Sequence, residues 1–320
     1  MPRKWILPLV VTLLAAGCRS APKKKQLAVI PKATSHFFWV SVQAGALAAG
    51  NDFGVEILWN GPPSETDYSR QIQILDSMIA RRVDGIAIAA AERKALVQPV
   101  ERAVEANIPV TVFDSGLDSD KFMTFLATNN YEGGQMAARE LARLTGGEGE
   151  IALLMHAPGS QSTMDREKGF EDTLAREFPK LKIVARQFGQ SDRAKSRSVA
   201  ENFLAGHPNL KGIFASAEPG SIGAALAVKA RGLQGKVQLV TFDSSDTLIE
   251  NLREGVIQTM IVQDPFRIGY EAVRTLAERL AGKIPPKRID LSAVIVRKED
   301  LEKPETQKLL FPDLKKIHSQ

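Results

Sequence analysis

The most constraining feature of this chain is an alternation: a short apolar run, a turn, a longer amphipathic stretch, then another short apolar run. Runs at 27–31, 55–59, 83–90 and 108–113 are too short for buried helices, and Gly, Pro or Asn punctuates the segments between them. They read as strands covered on both faces. Between them, 37–49, 66–81 and 94–106 carry apolar residues at helical spacing, as in Ile72, Leu75, Met78 and Ile79. The pattern restarts after 123–127. Helices are expected over 131–144, 166–178, 192–204, 221–230, 247–254 and 268–281. Strands are expected over 151–155, 183–186, 212–215, 237–242, 256–262 and 293–297, with a polar tail over 301–320. Strands alternating with helices build βαβ units and a mostly parallel sheet. Two arrays of similar size meet near residues 127–130, so the expected fold class is α/β with two doubly wound parallel-sheet lobes.

Length agrees, because 320 residues suit two domains. Hydrophobic residues make up 44% and charged residues 25%, which excludes a disordered chain. The formal net charge is +5, with basic residues spread apart from short clusters such as Lys23-Lys24-Lys25. A nucleic-acid footprint would be a dense basic stripe, so no nucleic-acid partner is expected.

Cys18 is the sole cysteine, which leaves no intramolecular disulfide and no Cys-based metal site. Arg3 and Lys4 precede an apolar run over 5–16, and small residues lead into Cys18. This is the anatomy of a secretory signal peptide over 1–17. Leu14-Ala15-Ala16-Gly17-Cys18 resembles a bacterial lipobox, which implies that Cys18 is lipidated and becomes the first mature residue. Two acyl chains on one residue make a stable anchor. Residues 18–26 then read as a polar lipidated tether. The expected location is the cell envelope, in the periplasm or on the outer surface, lipid-anchored to a membrane.

In doubly wound sheets, ligands bind beyond the carboxyl ends of the strands. Ser35-His36-Phe37-Phe38-Trp39 follows the first strand, Asp114 the fourth, Asp243 the 237–242 strand, and Gln263-Asp264-Pro265 the 256–262 strand. Aromatic faces cover the C–H face of a sugar ring, while Asp and Gln bond its hydroxyls. Trp59 ends the second strand and is a further candidate.

With these residues in this order, the chain resembles the periplasmic sugar-binding proteins of the ribose-binding type. Further carriers are Arg82-Val83-Asp84-Gly85-Ile86, Asn107-Ile108-Pro109-Val110, Arg166-Glu167-Lys168-Gly169-Phe170 and Thr241-Phe242-Asp243. The resemblance implies the type I periplasmic binding protein fold, whose two lobes are joined by a three-strand hinge. It implies an N-terminal lobe of 27–128 plus 264–291 and a C-terminal lobe of 129–263 plus 292–300. The chain would cross near Thr128-Asn129, Gln263 and Leu291. It also implies ligand contacts by Phe37, Phe38, Asp114, Asp243 and Gln263. Departures are expected at Ser35 for Asn, Ser115 for Arg, Met164 for a second ligand-binding Arg, Ser191 for an aromatic and Ala217 for Asn. On that reading the site loses its guanidinium clamps, and Arg166 is a structural residue at a helix start.

The expected function is a binding protein, not an enzyme, that closes on a sugar or sugar-like polyol and delivers it to an ABC transporter permease. The alternative is a sensory receptor that presents its liganded form to a chemoreceptor or sensor histidine kinase. A monomer without cofactor is expected. His36, His156, His207 and His318 lie far apart, so no metal site is expected. No Gly-x-Ser-x-Gly elbow and no Gly-x-Gly-x-x-Gly after the first strand are present, which disfavours hydrolase and dinucleotide chemistry.

Overall fold

A computed structural model describes residues 24–312. Cys18 and the segment around it lie outside the described residues. The first array forms β1 (Gln26–Ile30), α1 (Phe37–Phe53), β2 (Glu56–Trp59), α2 (Tyr68–Ala80), β3 (Gly85–Ile88), α3 (Val97–Glu105), β4 (Val110–Phe113) and β5 (Thr124–Thr128). The second forms α4 (Asn130–Thr145), β6 (Gly149–Met155), α5 (Gln161–Glu177), β7 (Leu181–Phe188), α6 (Arg193–Gly206), β8 (Leu210–Ala215), α7 (Glu218–Ala230), β9 (Gln238–Phe242), α8 (Asp246–Arg253) and β10 (Thr259–Val262). After β10 come α9 (Pro265–Leu280), β11 (Arg288–Leu291), β12 (Val294–Val296), a short 3₁₀ turn and α10 (Pro304–Leu310).

Two six-stranded sheets result, ordered β11-β5-β4-β3-β1-β2 and β12-β10-β9-β8-β6-β7. Every pairing is parallel except that of β10 with β12. The chain passes from one sheet to the other after β5, after β10 and after β11. Each lobe holds two cores, one per sheet face. In the first lobe α1 and α9 cover one face, with Trp39, Phe113 and Leu276 buried there, and α2 and α3 cover the other. In the second, α4 and α5 cover one face around Phe170 and Phe214, and α6, α7 and α8 cover the other. Strands sealed on both sides are mostly apolar, as β3 and β4 are; the one polar side chain, Thr111 of β4, meets the Thr275 hydroxyl at 2.8 Å.

Both lobes pair helices through glycine. A Cβ on Gly45 of α1 would lie 1.9 Å from the Phe266 carbonyl oxygen of α9, and one on Gly269 would lie 2.0 Å from that of Val42. In the second lobe, a Cβ on Gly134 of α4 would lie 1.9 Å from the Arg166 carbonyl oxygen of α5, and one on Gly169 would lie 2.1 Å from that of Tyr131. Such contacts set the helix spacing, and Gly134 presses on the turn that carries Arg166.

Two expectations change, and one strand was not expected. Helix α5 starts at Gln161, so Arg166 sits in its second turn rather than at its start. Strand β11 carries only one buried residue and alternating polarity, so it shows no apolar run in the sequence. The stretch after 300 is not simply a polar tail: α10 opens on Pro304 and buries Leu310, with Leu301, in the second-lobe core. Among the described residues, no helix is long and apolar enough to cross a membrane.

Candidate functional site

In each sheet the strand order reverses between the lobe's first and third strands, at β1/β3 and at β6/β8. Loops leaving such a switch point diverge and open a crevice at the carboxyl ends. The two crevices face each other. Between them lies a narrow cleft lined by residues of both lobes.

Asp114 and Asp243 occupy matching places, directly after β4 and β9. Both take a left-handed backbone, with φ of 58° and 72°, which Asp tolerates better than most residues. Each amide N–H donates at 2.8 Å to the next strand, Asp114 to Leu126 and Asp243 to Ile261. The two turns therefore aim both carboxylates into the cleft. Burial raises the Asp114 pKa above its usual value, against the pull of Lys32 and Arg166.

In the second-lobe half of the site, Arg166, Asp243 and Gln263 are wired within their own lobe. Asp243 Oδ2 accepts the Glu218 amide at 3.0 Å, and Asp243 Oδ1 accepts Gln263 Nε2 at 2.7 Å. Arg166 is buried. Its Nε donates to Asn130 Oδ1 at 2.7 Å and its Nη1 to the Ser216 carbonyl at 2.9 Å. The guanidinium lies 3.9 Å from the Phe242 ring centroid, and Nη1 is 3.9 Å from Asp243 Oδ2. Behind it, Glu167 Oε1 accepts the His156 amide at 3.0 Å and Ser216 Oγ at 2.8 Å. Burial pushes the Glu167 pKa up to about 7.

The first-lobe half is completed across the cleft. Lys32 Nζ lies 3.3 Å from Asp114 Oδ2 and 3.4 Å from Glu65 Oε2, and it donates at 3.3 Å to both Ser160 and Ser162 of the other lobe. Burial works against the Lys32 charge, but Glu65 and Asp114 prevail and raise its pKa. Glu65 Oε2 meets His156 Nε2 at 2.8 Å, and Glu65 Oε1 accepts Trp39 Nε1 at 2.8 Å. The Phe38 amide donates to Glu218 Oε2 at 3.1 Å. Arg193 at the rim donates to Glu218 Oε1 at 2.8 Å.

Of the ten residues expected at a ligand, Phe38, Asp114, Asp243, Gln263 and Ala217 line the cleft. The other five do not. Phe37 is half-buried beside it, and the aromatic pair at the cleft is Phe38 with Trp39, edge to face at 4.9 Å. Ser35 is exposed and donates to the Pro63 carbonyl at 3.1 Å. Ser115 is buried against α5, where its hydroxyl accepts the Ser162 amide at 3.3 Å. Met164 is half-buried in the first turn of α5 and turned from the cleft. Trp59 ends the edge strand β2, away from the switch point, and packs on the first-lobe core.

The expectation of a site without guanidinium is corrected by Arg166, which lines the cleft two residues beyond Met164. The sequence reading also passed over Lys32, Glu65, His156 and Glu218. Lys32, His156 and Glu218 each stand within three residues of a strand's carboxyl end, the place already searched after other strands. Glu65 sits in the Gly61-Pro62-Pro63-Ser64 loop and carries no such signal. His36 and His156, far apart in sequence, face opposite oxygens of Glu65. Among the described residues, no group of three or more His, Cys, Asp or Glu is placed to hold a metal ion.

Residues 27–284 match the model of a periplasmic binding protein domain. The chain is 29% identical over 280 residues to the D-ribose/D-allose-binding protein of Pseudomonas aeruginosa, covering 85% of this chain and 87% of that protein. It is also 29% identical over 276 residues to the D-allose-binding periplasmic protein of Escherichia coli, covering 83% and 88%. Among solved structures, a carbohydrate transporter solute binding protein from Agrobacterium radiobacter, in complex with D-arabinose, superposes with a TM-score of 0.88 at 32% identity, covering 91% of this chain and all (100%) of that one. An ABC transporter solute binding protein from Agrobacterium vitis, with bound D-fucose, gives 0.87 at 34% identity, covering 89% and 100%.

Proposed function

We propose a function from one premise: the chain belongs to the periplasmic binding protein domain family. It is an extracytoplasmic solute-binding protein rather than an enzyme, and it delivers its ligand to an ABC importer. The ligand is a monosaccharide or a sugar-like polyol of similar size. One observation carries that choice. Gln263 Oε1 is a buried cleft acceptor without a hydrogen-bond partner, and Asp114 Oδ2 beside it is met only by the Lys32 ammonium at 3.3 Å. A buried acceptor left unmet costs about 1–3 kcal/mol. Ligand hydroxyls donate to such atoms, and the Arg166 guanidinium has N–H groups left to donate in return. Phe38, beside Trp39, offers an apolar face for ring C–H groups.

Five of the expected contacts are retained on this reading: Phe38, Asp114, Asp243, Gln263 and Ala217. Arg166 joins them and returns a guanidinium to the site. The lobes are 27–128 with 264–291 and 129–263 with 292–300, and the three crossings between the sheets act as the hinge. Cys18 carries the lipid, 18–26 is the tether that keeps a monomer near the permease, and the signal segment is removed on export.

A thermal-shift series with pentoses, hexoses and cyclic polyols tests the reading, alongside native mass spectrometry of ligand carried through purification. A ligand at a hundred times its Kd stabilises by about 2.7 kcal/mol, enough for a clear rise in Tm. A well-folded protein that responds to no member of the panel and carries no such ligand would contradict it.

A further inference from the structure

Glu65 sits in the loop between β2 and α2, and it is 8% exposed. Its two oxygens meet four nitrogen groups. Oε1 faces Trp39 Nε1 at 2.8 Å and His36 Nδ1 at 3.3 Å, while Oε2 faces His156 Nε2 at 2.8 Å and Lys32 Nζ at 3.4 Å. An ionised carboxylate only accepts, so each ring nitrogen facing it carries its proton, and its lone-pair sites number about four. They are all engaged. Burial opposes the Glu65 charge, but Lys32 and His156 hold its pKa well below the usual carboxylate range. Gln263 Oε1 keeps an acceptor in reserve and Asp114 Oδ2 meets only Lys32, whereas each Glu65 oxygen already meets two groups.

Three of its partners, Lys32, His36 and Trp39, belong to the first lobe. The fourth, His156, follows β6 in the second. His156 is itself fixed there, because its amide donates to Glu167, which also holds Ser216. The bond from Glu65 to His156 thus joins a first-lobe cluster to an anchored point on the opposite lobe.

We propose that Glu65 is a positioning residue that couples lobe closure to order in the ligand cleft, and that it does not read ligand hydroxyls. Through His156 it holds the lobes together. Through Trp39 and Lys32 it fixes the ring and the ammonium that a ligand meets. The ligand-binding consequence rests on the sugar-binding reading above; the latch itself does not.

A double-mutant cycle over Glu65→Ala and His156→Ala tests this, with two readouts: lobe-to-lobe distance by FRET without ligand, and affinity for the best-bound sugar and two of its epimers. Each single variant shifts the ligand-free lobes toward an open separation. Each weakens all three sugars by a common factor, about tenfold or more, mainly through faster dissociation. The double variant is no worse than the worse single one, because both changes remove the same contact. Glu65→Asp keeps the charge but is one methylene shorter. It behaves as Glu65→Ala does, and it stands in should the alanine variant fold poorly. Losses that multiply in the double variant would overturn the proposal, as would an altered epimer ranking in the Glu65 variants. If the wild-type protein binds no sugar, the functional reading fails while the ligand-free distances still decide the latch: unchanged lobe separation in Glu65→Ala overturns it.

Discussion

The two lobes share one sheet order, one pair of glycine-packed helices and one left-handed Asp after an equivalent strand, yet they organise their halves of the cleft in different ways. In the second lobe Arg166, Asp243 and Gln263 are held by partners of that same lobe. In the first lobe Lys32, Glu65 and the Phe38 amide take partners across the cleft. A half-site wired in its own lobe is ordered whether the lobes are apart or together. A half-site that borrows partners is completed only when they meet. The second lobe is therefore the platform on which a ligand is first oriented, and the first is the cover whose own order depends on closing.

Arg166 offers the harshest way to break this comparison. Removing one partner of a buried charged network costs about 3–5 kcal/mol. Arg166→Ala should lower the denaturation midpoint and abolish sugar binding in calorimetry, even in preparations whose circular dichroism remains native. Lys32→Met, on the cover side, should weaken binding while changing the unfolding midpoint far less. Equal stability losses in the two variants would erase the asymmetry.

A pH series sharpens the same point. Glu167, behind Arg166, has a folded pKa raised by burial from 4.5 to about 7. Its folded form keeps a proton that the unfolded chain has lost, so stability falls as pH rises from about 4.5 to about 7 and the penalty is complete above that. The pKa difference corresponds to an order of 3 kcal/mol. Urea unfolding of Glu167→Gln should show a flatter pH dependence across that window than the wild-type chain. An identical slope would remove Glu167 from the account.

The matched aspartates come next. Asp114→Asn should weaken binding by about 1.5–3 kcal/mol, the worth of a hydrogen bond to a charged group, with little change in stability. Asp243→Asn should do both, because Asp243 also holds the Glu218 amide and Gln263. Matching effects from the two substitutions would show that in-lobe wiring is irrelevant.

Smallest is the glycine pair. Gly45→Ala and Gly134→Ala each drive a methyl into a carbonyl of the facing helix. Overpacking of this kind costs about 1–3 kcal/mol. Only Gly134→Ala should also reduce sugar affinity, since the carbonyl it strikes belongs to Arg166.

Period and turn chemistry made most of the fold readable. β3 and β4 are apolar but for Thr111 because both sheet faces are covered, so they stand out from the sequence. β11 is an exposed edge and α10 a short polar helix pinned by Leu310, so neither shows a run or a long periodicity. At the site, Asp114 and Asp243 were legible because, although Asp favours turns after strands, one stands at the matching strand end of each array. Arg166 was misplaced because the start of α5, at Gln161, lies in a polar stretch whose N-cap Ser160 makes no side-chain cap hydrogen bond. Glu65 was invisible for a different reason: its importance lies wholly in partners 26 to 91 positions away.

The most direct test of the central claim is the distance between lobes, measured by double electron–electron resonance with and without a bound sugar. With Cys18 replaced by Ser, spin labels on the exposed sites Tyr68 of α2 and Leu226 of α7 place one probe on each lobe. Saturating sugar should collapse a broad distribution onto a single shorter distance, the one in the closed structure. An unchanged distribution with a sugar that calorimetry shows to be bound would contradict the view that the first-lobe half-site is completed only on closure.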